Sequence, residues 1–508
     1  MRSLTPDLPE HVHLTFQGDP ASTVTVTWQS NSLTSGDIVL YDTSPRGGNF
    51  SLYSHQVSGS HLSYAGGSGY IHTVELSGLE PDSTYYFVCG GPGAYGGEQA
   101  FKTAPDLVAD VRFVVGGDSR SDPAARTLVS QAMKQADPSF VMHVGDMVND
   151  GTQQNQWDTW FDDVNNNWVG DNGLRIPIIP CLGNHENNAT NYYGQFALPG
   201  NEQWYYYDWG PNLRIIVLNS EASPSQISVN QVNWLENVLN TTPTATWTIV
   251  MVHRNVYYAG GHGNADDLIQ FWVPIFDKYH VDIVFQGHDH HYHRSKPMKN
   301  NTSTSSYREG AMYVTSGGWG APLYNYIPQS YSAYGNKTYH FTLINTYRNG
   351  TLQFEAKDVN GYTFDQVQLY KSVKSWHPVH VNGSTYDISI SSNSFISSFS
   401  FNQSAKKVCF NITGASGTPS FFNVTLPKTL LGGPYTISAD GSPMTVIETS
   451  NTTHNAIYAE YVHSTHKIEI TGTTVIPEYP KTITTALTLI ALTLTILFTR
   501  RKLLRHET

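Results

Sequence analysis

The octet GHDHHYHR, Gly287 to Arg294, sets four histidines and an aspartate within eight residues. Four upstream segments carry side chains of related kind: GGDSR with Asp118, GDMVND with Asp146, GNHE with Asn184 and His185, and MVHRN with His253. Carboxylate, amide and imidazole form a mixed oxygen and nitrogen donor set. It suits divalent or trivalent first-row metals and needs no thiolate. Counting His288 and His290 from the octet, six such groups are present, more than one tetrahedral ion requires. Two ions sharing a carboxylate use them better, and a close pair of cations can clamp a phosphoryl group.

The elements that must position these groups are legible nearby. RFVVGGD, SFVMHVGD, IPIIPCLGNHE, WTIVMVHRN and VDIVFQGHDH are apolar runs, each ending at a candidate ligand. Helix-like segments alternate with them: DPAARTLVSQAMKQ, QNQWDTWFDDV, QVNWLENVLN and DLIQFWVPIFDKY. Such alternation predicts an α/β domain, here over residues 111–370. Its ligands would converge where the strands end at their carboxyl edge. Before it, TVTVTWQS, HTVELSGL and TYYFVCGG predict a β-sandwich over residues 8–104. After it, YDISISSNSFISSFSF, KKVCFNITG, FFNVTL and KIEITG predict a second β-sandwich over residues 375–474. No internal repeat is evident.

At 508 residues the chain exceeds one ordinary core. A net charge of -12 argues against nucleic-acid binding, which calls for a basic stripe. A phosphate-bearing substrate would therefore draw its positive charge from metals or a few arginines. Cys89, Cys181 and Cys409 are too scattered for a disulfide framework, and Cys181 reads as a buried thiol within a strand. About a dozen Asn-X-Ser/Thr triplets, among them those at Asn188, Asn240, Asn336, Asn411, Asn423 and Asn451, read as glycosylation acceptors. A chain this rich in Ser, Thr and Asn also makes such triplets by chance.

Thr482 to Thr499 contains no charge and is long enough to cross a bilayer as a helix. Arg500, Arg501, Lys502 and Arg505 follow it. By the positive-inside tendency these stay cytoplasmic, giving a single-pass cell-membrane protein with an extracellular ectodomain. Outward placement expects an export signal, and none precedes Pro9. PEYP, the apolar stretch and the basic tail also resemble a tripartite sorting signal of surface proteins.

The ordered series GD, GDxx, GNHE, H and GHxH resembles the calcineurin-like metallophosphoesterases. The N-terminal sandwich, of fibronectin type III kind, and the ending GHDHHY resemble their purple acid phosphatase branch, over roughly residues 8 to 365. The resemblance implies a four-layer βαβαβ catalytic domain and two metal ions, drawn from Fe, Mn and Zn. Asp118 and His290 would bind the first ion, Asp146 would bridge, and Asn184, His253 and His288 would bind the second. His185 would meet the substrate phosphate, with Glu186 orienting it. His262 would protonate the leaving alkoxide.

Two departures from the family pattern affect the first ion. The purple enzymes carry tyrosine three residues after the bridging aspartate, where this chain has Asn149. The wider superfamily has histidine two residues after the first aspartate, where this chain has Arg120. The first ion is therefore one ligand short and expected to exchange more readily. Asn149, Asp150 or water could fill the gap, and Arg120 could turn its fork to phosphate oxygens.

Blander readings apply elsewhere. His143 reads as a packed core residue, and His11 and His13 as surface residues. His291 and His293 could face the ligands, the substrate or solvent. Trp157, Trp160 and Trp168 read as packing, while SGGWGAP, Ser316 to Pro322, could lie near the site or form a simple turn.

The implied activity is hydrolysis of phosphate monoesters, small or phosphorylated substrates, by metal-bound hydroxide. A phosphodiesterase or nucleotidase is the alternative within the superfamily. A surface adhesion or scaffold protein that has lost catalysis is the alternative outside it.

Overall fold

A computed structural model describes residues 7–476, apart from 33–35, 68, 241–244, 415–416, 418 and 463. The apolar segment 482–499 lies outside the described residues. Among those described, no helix is long and apolar enough to cross a membrane. The chain divides into two compact units, Met1–Leu369 and Tyr370–Thr508.

The first unit opens with a β-sandwich of two four-stranded sheets. One contains Glu10–Thr15, Thr23–Ser30, Ser60–Leu62 and Tyr70–Ser77; the other contains Ile38–Asp42, His55–Ser58, Thr84–Gly90 and Gln99–Lys102. Its core is built from inward residues such as Val24, Val26, Trp28, Val74 and Phe87. The sandwich is fused to the following domain, and two histidines make part of the joint. His13 Nδ1 lies 2.7 Å from the His11 carbonyl and Nε2 lies 2.7 Å from the Gln195 carbonyl. Its ring stacks on Phe161 at 4.6 Å. His11 sits 3.1 Å from Asp162. Both imidazoles are buried, which corrects the expectation that they are surface residues: a flanking helix covers the strand face they occupy.

Two sheets lie back to back in the catalytic domain. In one, Val111–Gly116, Val141–His143 and Ile178–Pro180 run parallel, extended by the antiparallel His340–Thr346, Thr351–Asp358 and Thr363–Tyr370. In the other, Leu213–Val217, Trp247–Met251, Ile283–Gln286 and Met312–Ser316 are parallel. Strand residues alternate between two cores, as the two-residue period of a strand requires. Leu213, Ile215 and Val217 face the first sheet, whereas Ile216 and Leu218 pack with Leu235, Leu268 and Phe276 of the outer helices. Helices Pro123–Lys134 and Gln154–Asn167 cover the opposite side through Val129, Met133, Trp157 and Trp160. The order is thus helix, sheet, sheet, helix. Each aliphatic side chain buried in these cores is worth about 1.5–3 kcal/mol.

Local signals account for the helix ends. Asp122 caps the Pro123–Lys134 helix by accepting from the amides of Ala124 (3.0 Å) and Ala125 (3.1 Å). DLIQFWVPIFDKY, expected as one helix, is two: Asp266–Phe271 and Val273–Tyr279. Pro274 lacks an amide hydrogen and ends the first ladder, yet fits the first turn of the next helix.

In the second unit, two five-stranded antiparallel sheets enclose a separate core that includes Ile388, Ile390, Phe410, Phe422, Ile457 and Ile470. Cys89 and Cys181 are buried free thiols and Cys409 is half-buried.

Candidate metal centre

Every candidate ligand lies just past the carboxyl end of a parallel strand. Asp118 follows Val111–Gly116, Asp146 follows Val141–His143, Asn184 follows Ile178–Pro180, His253 follows Trp247–Met251, and His288 and His290 follow Ile283–Gln286. These turns meet at one edge of the two sheets, as expected for parallel α/β architecture. Donor atoms of Asp118, Asp146 and His290 lie within 4.8 Å of one another, and so do those of Asp146, His253 and His288. Asp146 belongs to both groups. Its Oδ1 is 3.4 Å from His253 Nε2, and Asn184 Oδ1 is 3.1 Å from that same nitrogen. On the other side, His290 Nε2 is 3.5 Å from Asp118 Oδ1.

Backbone carbonyls aim the imidazoles. His253 Nδ1 donates to the Val144 carbonyl at 2.8 Å, and His290 Nδ1 donates to the Pro322 carbonyl at 2.8 Å. Each ring therefore turns its Nε2 into the cage, the orientation that metal-binding histidines need. Asp118, Asp146 and His288 adopt φ of 56°, 57° and 67°. Left-handed backbone is costly for such residues and is held here by the surrounding contacts. The SGGWGAP loop lies against the centre: the Ala321 amide donates to the Asp118 carbonyl at 2.7 Å.

Glu186 is buried beneath this arrangement. Its carboxylate accepts from the amides of Asp146 (2.9 Å), Met147 (2.7 Å) and Gly183 (2.6 Å). It thus ties the Asp146 turn to the Asn184 turn, rather than orienting His185 as the resemblance suggested. His185 instead donates from Nδ1 to the Asn149 carbonyl at 2.6 Å. The two turns touch so closely that a Cβ on Gly183 would lie 2.3 Å from Asp146 Oδ1. Gly183→Ala is therefore expected to weaken metal retention by at least about 10–100-fold, measurable by elemental analysis after dialysis.

The cage favours positive charge. Burial pushes the Asp118 carboxyl up, but the adjacent His290 imidazole and the nearby His253 and His288 outweigh it, holding the group at about 2. Burial lowers His253, yet Asp146 and Asp118 lift it to about 9. His288, depressed by burial and by its neighbours His253 and His262, falls to about 3 and presents a neutral ring. Burial, then the charge of Asp146, raises Glu186 to about 7.

A pH signature follows from Glu186. With a folded value above its ordinary 4.5, the unfolded chain binds fewer protons between about 4.5 and 7. The contribution is complete below about 4.5 and disappears as pH rises through about 7. In the chelator-stripped protein, stability is expected to fall across that window by up to about 3 kcal/mol. Glu186→Gln is expected to flatten the profile in denaturant titrations at a series of pH values.

The remaining candidates surround the cage. His185 Nε2 lies 3.8 Å from Asp146 Oδ2. His262 Nδ1 is 2.8 Å from Asp289 Oδ1, and its ring lies 4.0 Å from that of His288. Arg120 Nε lies 3.4 Å from Asp146 Oδ2. Asp150 is committed elsewhere, accepting from the Thr152 amide (3.0 Å) and hydroxyl (2.8 Å). His143 is a packed core residue, 2.8 Å from the Ser119 hydroxyl and tilted over Trp319 at 4.9 Å. Trp157, Trp160 and Trp168 are buried packing residues. His291 and His293 are also buried, not exposed.

Sequence reading missed Tyr324, whose ring stacks on His290 at 4.0 Å, and Asp289, which holds His262. Asp289 lies inside the octet and could have been singled out. Nothing near Tyr324 in the sequence marks it.

Among the described residues a third group, Asp37, His61 and His72, also converges. Its contacts are 2.5 Å from His72 Nδ1 to Asp37 Oδ1 and 2.8 Å from His61 Nδ1 to Asp37 Oδ2. Those are hydrogen-bond separations. Donor atoms about 2.1 Å from a common ion stand roughly 3.0–3.4 Å apart, the spacing of the main centre.

Residues 9–103 match the family described as the N-terminal domain of purple acid phosphatase, and residues 108–292 match calcineurin-like phosphoesterase. Acid phosphatase type 7 of Mus musculus is 28% identical over 421 residues, covering 72% of this chain and 91% of that protein. Purple acid phosphatase 18 of Arabidopsis thaliana is 27% identical over 330 residues, covering 62% and 71%. A purple acid phosphatase from yellow lupin (Lupinus luteus) seeds shares the fold, with a TM-score of 0.62 at 21% identity over 72% of this chain and 74% of that one. Two domains in family order, and a cage of nitrogen and oxygen donors that fits a pair of ions, agree. The chain thus joins a domain matching the N-terminal domain of purple acid phosphatase to one matching calcineurin-like phosphoesterase, and its relatives include acid and purple acid phosphatases.

Proposed function

We propose that this protein is a phosphomonoesterase of acid phosphatase type, built on a binuclear centre. Asp118 and His290 hold the first ion, Asn184, His253 and His288 hold the second, and Asp146 bridges the pair. The observation that carries this reading is Asp146 itself, with Oδ1 toward His253 and Oδ2 toward His185 and Arg120. Bound metals supply Lewis-acid polarisation of the phosphoryl oxygens and a nucleophile near neutral pH.

The chain's own side chains do the rest. His185, with Nδ1 donating to Asn149, presents Nε2 to a phosphate oxygen and stabilises charge that grows in the transition state. His262, with Nδ1 donating to Asp289, keeps Nε2 for the proton that the leaving alkoxide takes. Monoesters are favoured because a terminal phosphate can engage both ions. A panel of phosphate mono- and diesters, assayed with the purified protein under Mn, Fe and Zn, tests this. Faster turnover of diesters would replace the monoesterase reading with a phosphodiesterase. Neither turnover nor bound metal would leave a scaffold.

Thr482 to Thr499, uncharged and followed by Arg500, Arg501 and Lys502, supports a membrane anchor with the centre facing outward. The glycosylation triplets support the same side. Full-length protein recovered in the soluble fraction after carbonate extraction would reject the anchor.

A further inference from the structure

Arg120 stands where the family pattern supplies a ligand, and its position is more specific than a general cationic wall. Nη2 lies 3.3 Å from His290 Nε2 and Nε lies 3.4 Å from Asp146 Oδ2. His290 Nδ1 is already spent on the Pro322 carbonyl, so its Nε2 meets the guanidinium with a lone pair. Nη1 donates to Asn149 Oδ1 at 3.1 Å and to the Ser121 hydroxyl at 3.2 Å. The side chain is only 13% exposed, and Nε is buried without a hydrogen-bond partner. The guanidinium is thus directed at two of the lone pairs that the first ion needs. Both sequence departures, Arg120 and Asn149, meet in one contact. The second group is not involved, because Asp146 turns its other oxygen, Oδ1, toward His253.

We propose that Arg120 is an internal competitor for the first metal ion. The inference rests on the binuclear reading above and adds that the two ions bind unequally. A cation on Asp146 Oδ2 and His290 Nε2 repels an approaching dication and occupies the same lone pairs. The first ion therefore binds only by displacing the guanidinium, while the second binds without that cost. A cleft of about 440 Å³, lined by polar side chains such as Ser121, Asn149 and Asn155 together with Val148 and an Arg126 already paired with Asp163, adjoins the guanidinium and has room to receive it. From there its fork can meet a phosphate oxygen. Metal availability would then set the fraction of chains with a complete centre.

Titration of the chelator-stripped full chain with Mn²⁺ or Zn²⁺, followed by calorimetry and by elemental analysis after dialysis, tests this without any assay of turnover. The native protein is expected to retain one ion through dialysis and to bind the other at least about tenfold more weakly. Arg120→Gln and Arg120→Met remove the charge, the first keeping a shorter polar side chain and the second an unbranched apolar one. Both are expected to tighten the weak site at least about tenfold and to leave the tight site unchanged. Arg120→Lys, which keeps the charge, is expected to leave the sites unequal. Two equal sites in the native protein, or a weak site that fails to tighten in both neutral variants, overturns the proposal while sparing the binuclear reading. Absence of any bound ion would overturn both.

Discussion

Alanine at Asp146 is expected to abolish turnover and metal retention together, with a loss of at least about 10³-fold in kcat. Asp146 is the one side chain common to both donor groups, and it is buried. Its removal takes a ligand from each ion and the negative charge that raises His253. Asparagine at the same position keeps the shape but not the charge, and should retain one ion poorly. Elemental analysis and a chromogenic phosphate ester, measured on the same samples, check both outcomes. A variant that loses turnover yet keeps two ions would show that Asp146 does not bridge.

Alanine at His262 should produce a loss that depends on the leaving group. A general acid contributes about 10²–10⁴-fold when the departing alkoxide needs a proton. Alkyl phosphates should therefore lose about that much, whereas 4-nitrophenyl phosphate, whose leaving group departs as an anion, should lose little. The geometry supports the role: Asp289 fixes Nδ1 at 2.8 Å and the ring lies beside His288, at the edge of the cage. A ring needed only for packing would lower both rates equally. Equal losses across a series of leaving groups would therefore remove His262 from the proton transfer.

The two variants separate the parts of the centre. Asp146 acts through the metals, so its loss is independent of the ester. His262 acts on one proton, so metal content should stay unchanged in its variant.

Much of this centre was readable from the linear chain. An apolar run that ends in Gly-Asp, Gly-Asn-His or Gly-His marks a strand and the turn beyond it. Parallel strands bring such turns to one edge regardless of their distance in sequence. That rule brings together the segments carrying Asp118, Asp146, Asn184, His253, His288 and His290, while the choice of ligands within each segment rested on the family resemblance. The tertiary structure decided what depends on groups without a sequence signature. The carbonyls of Val144 and Pro322 aim His253 and His290, and any residue offers a carbonyl. His11 and His13 are buried because a helix more than a hundred residues away covers their strand, which local pattern cannot report. Arg120 has enough rotatable bonds to face solvent, substrate or metal ligands, and only packing selects among them. Short-range chemistry thus set which residues could serve, while long-range contacts set which way each one points.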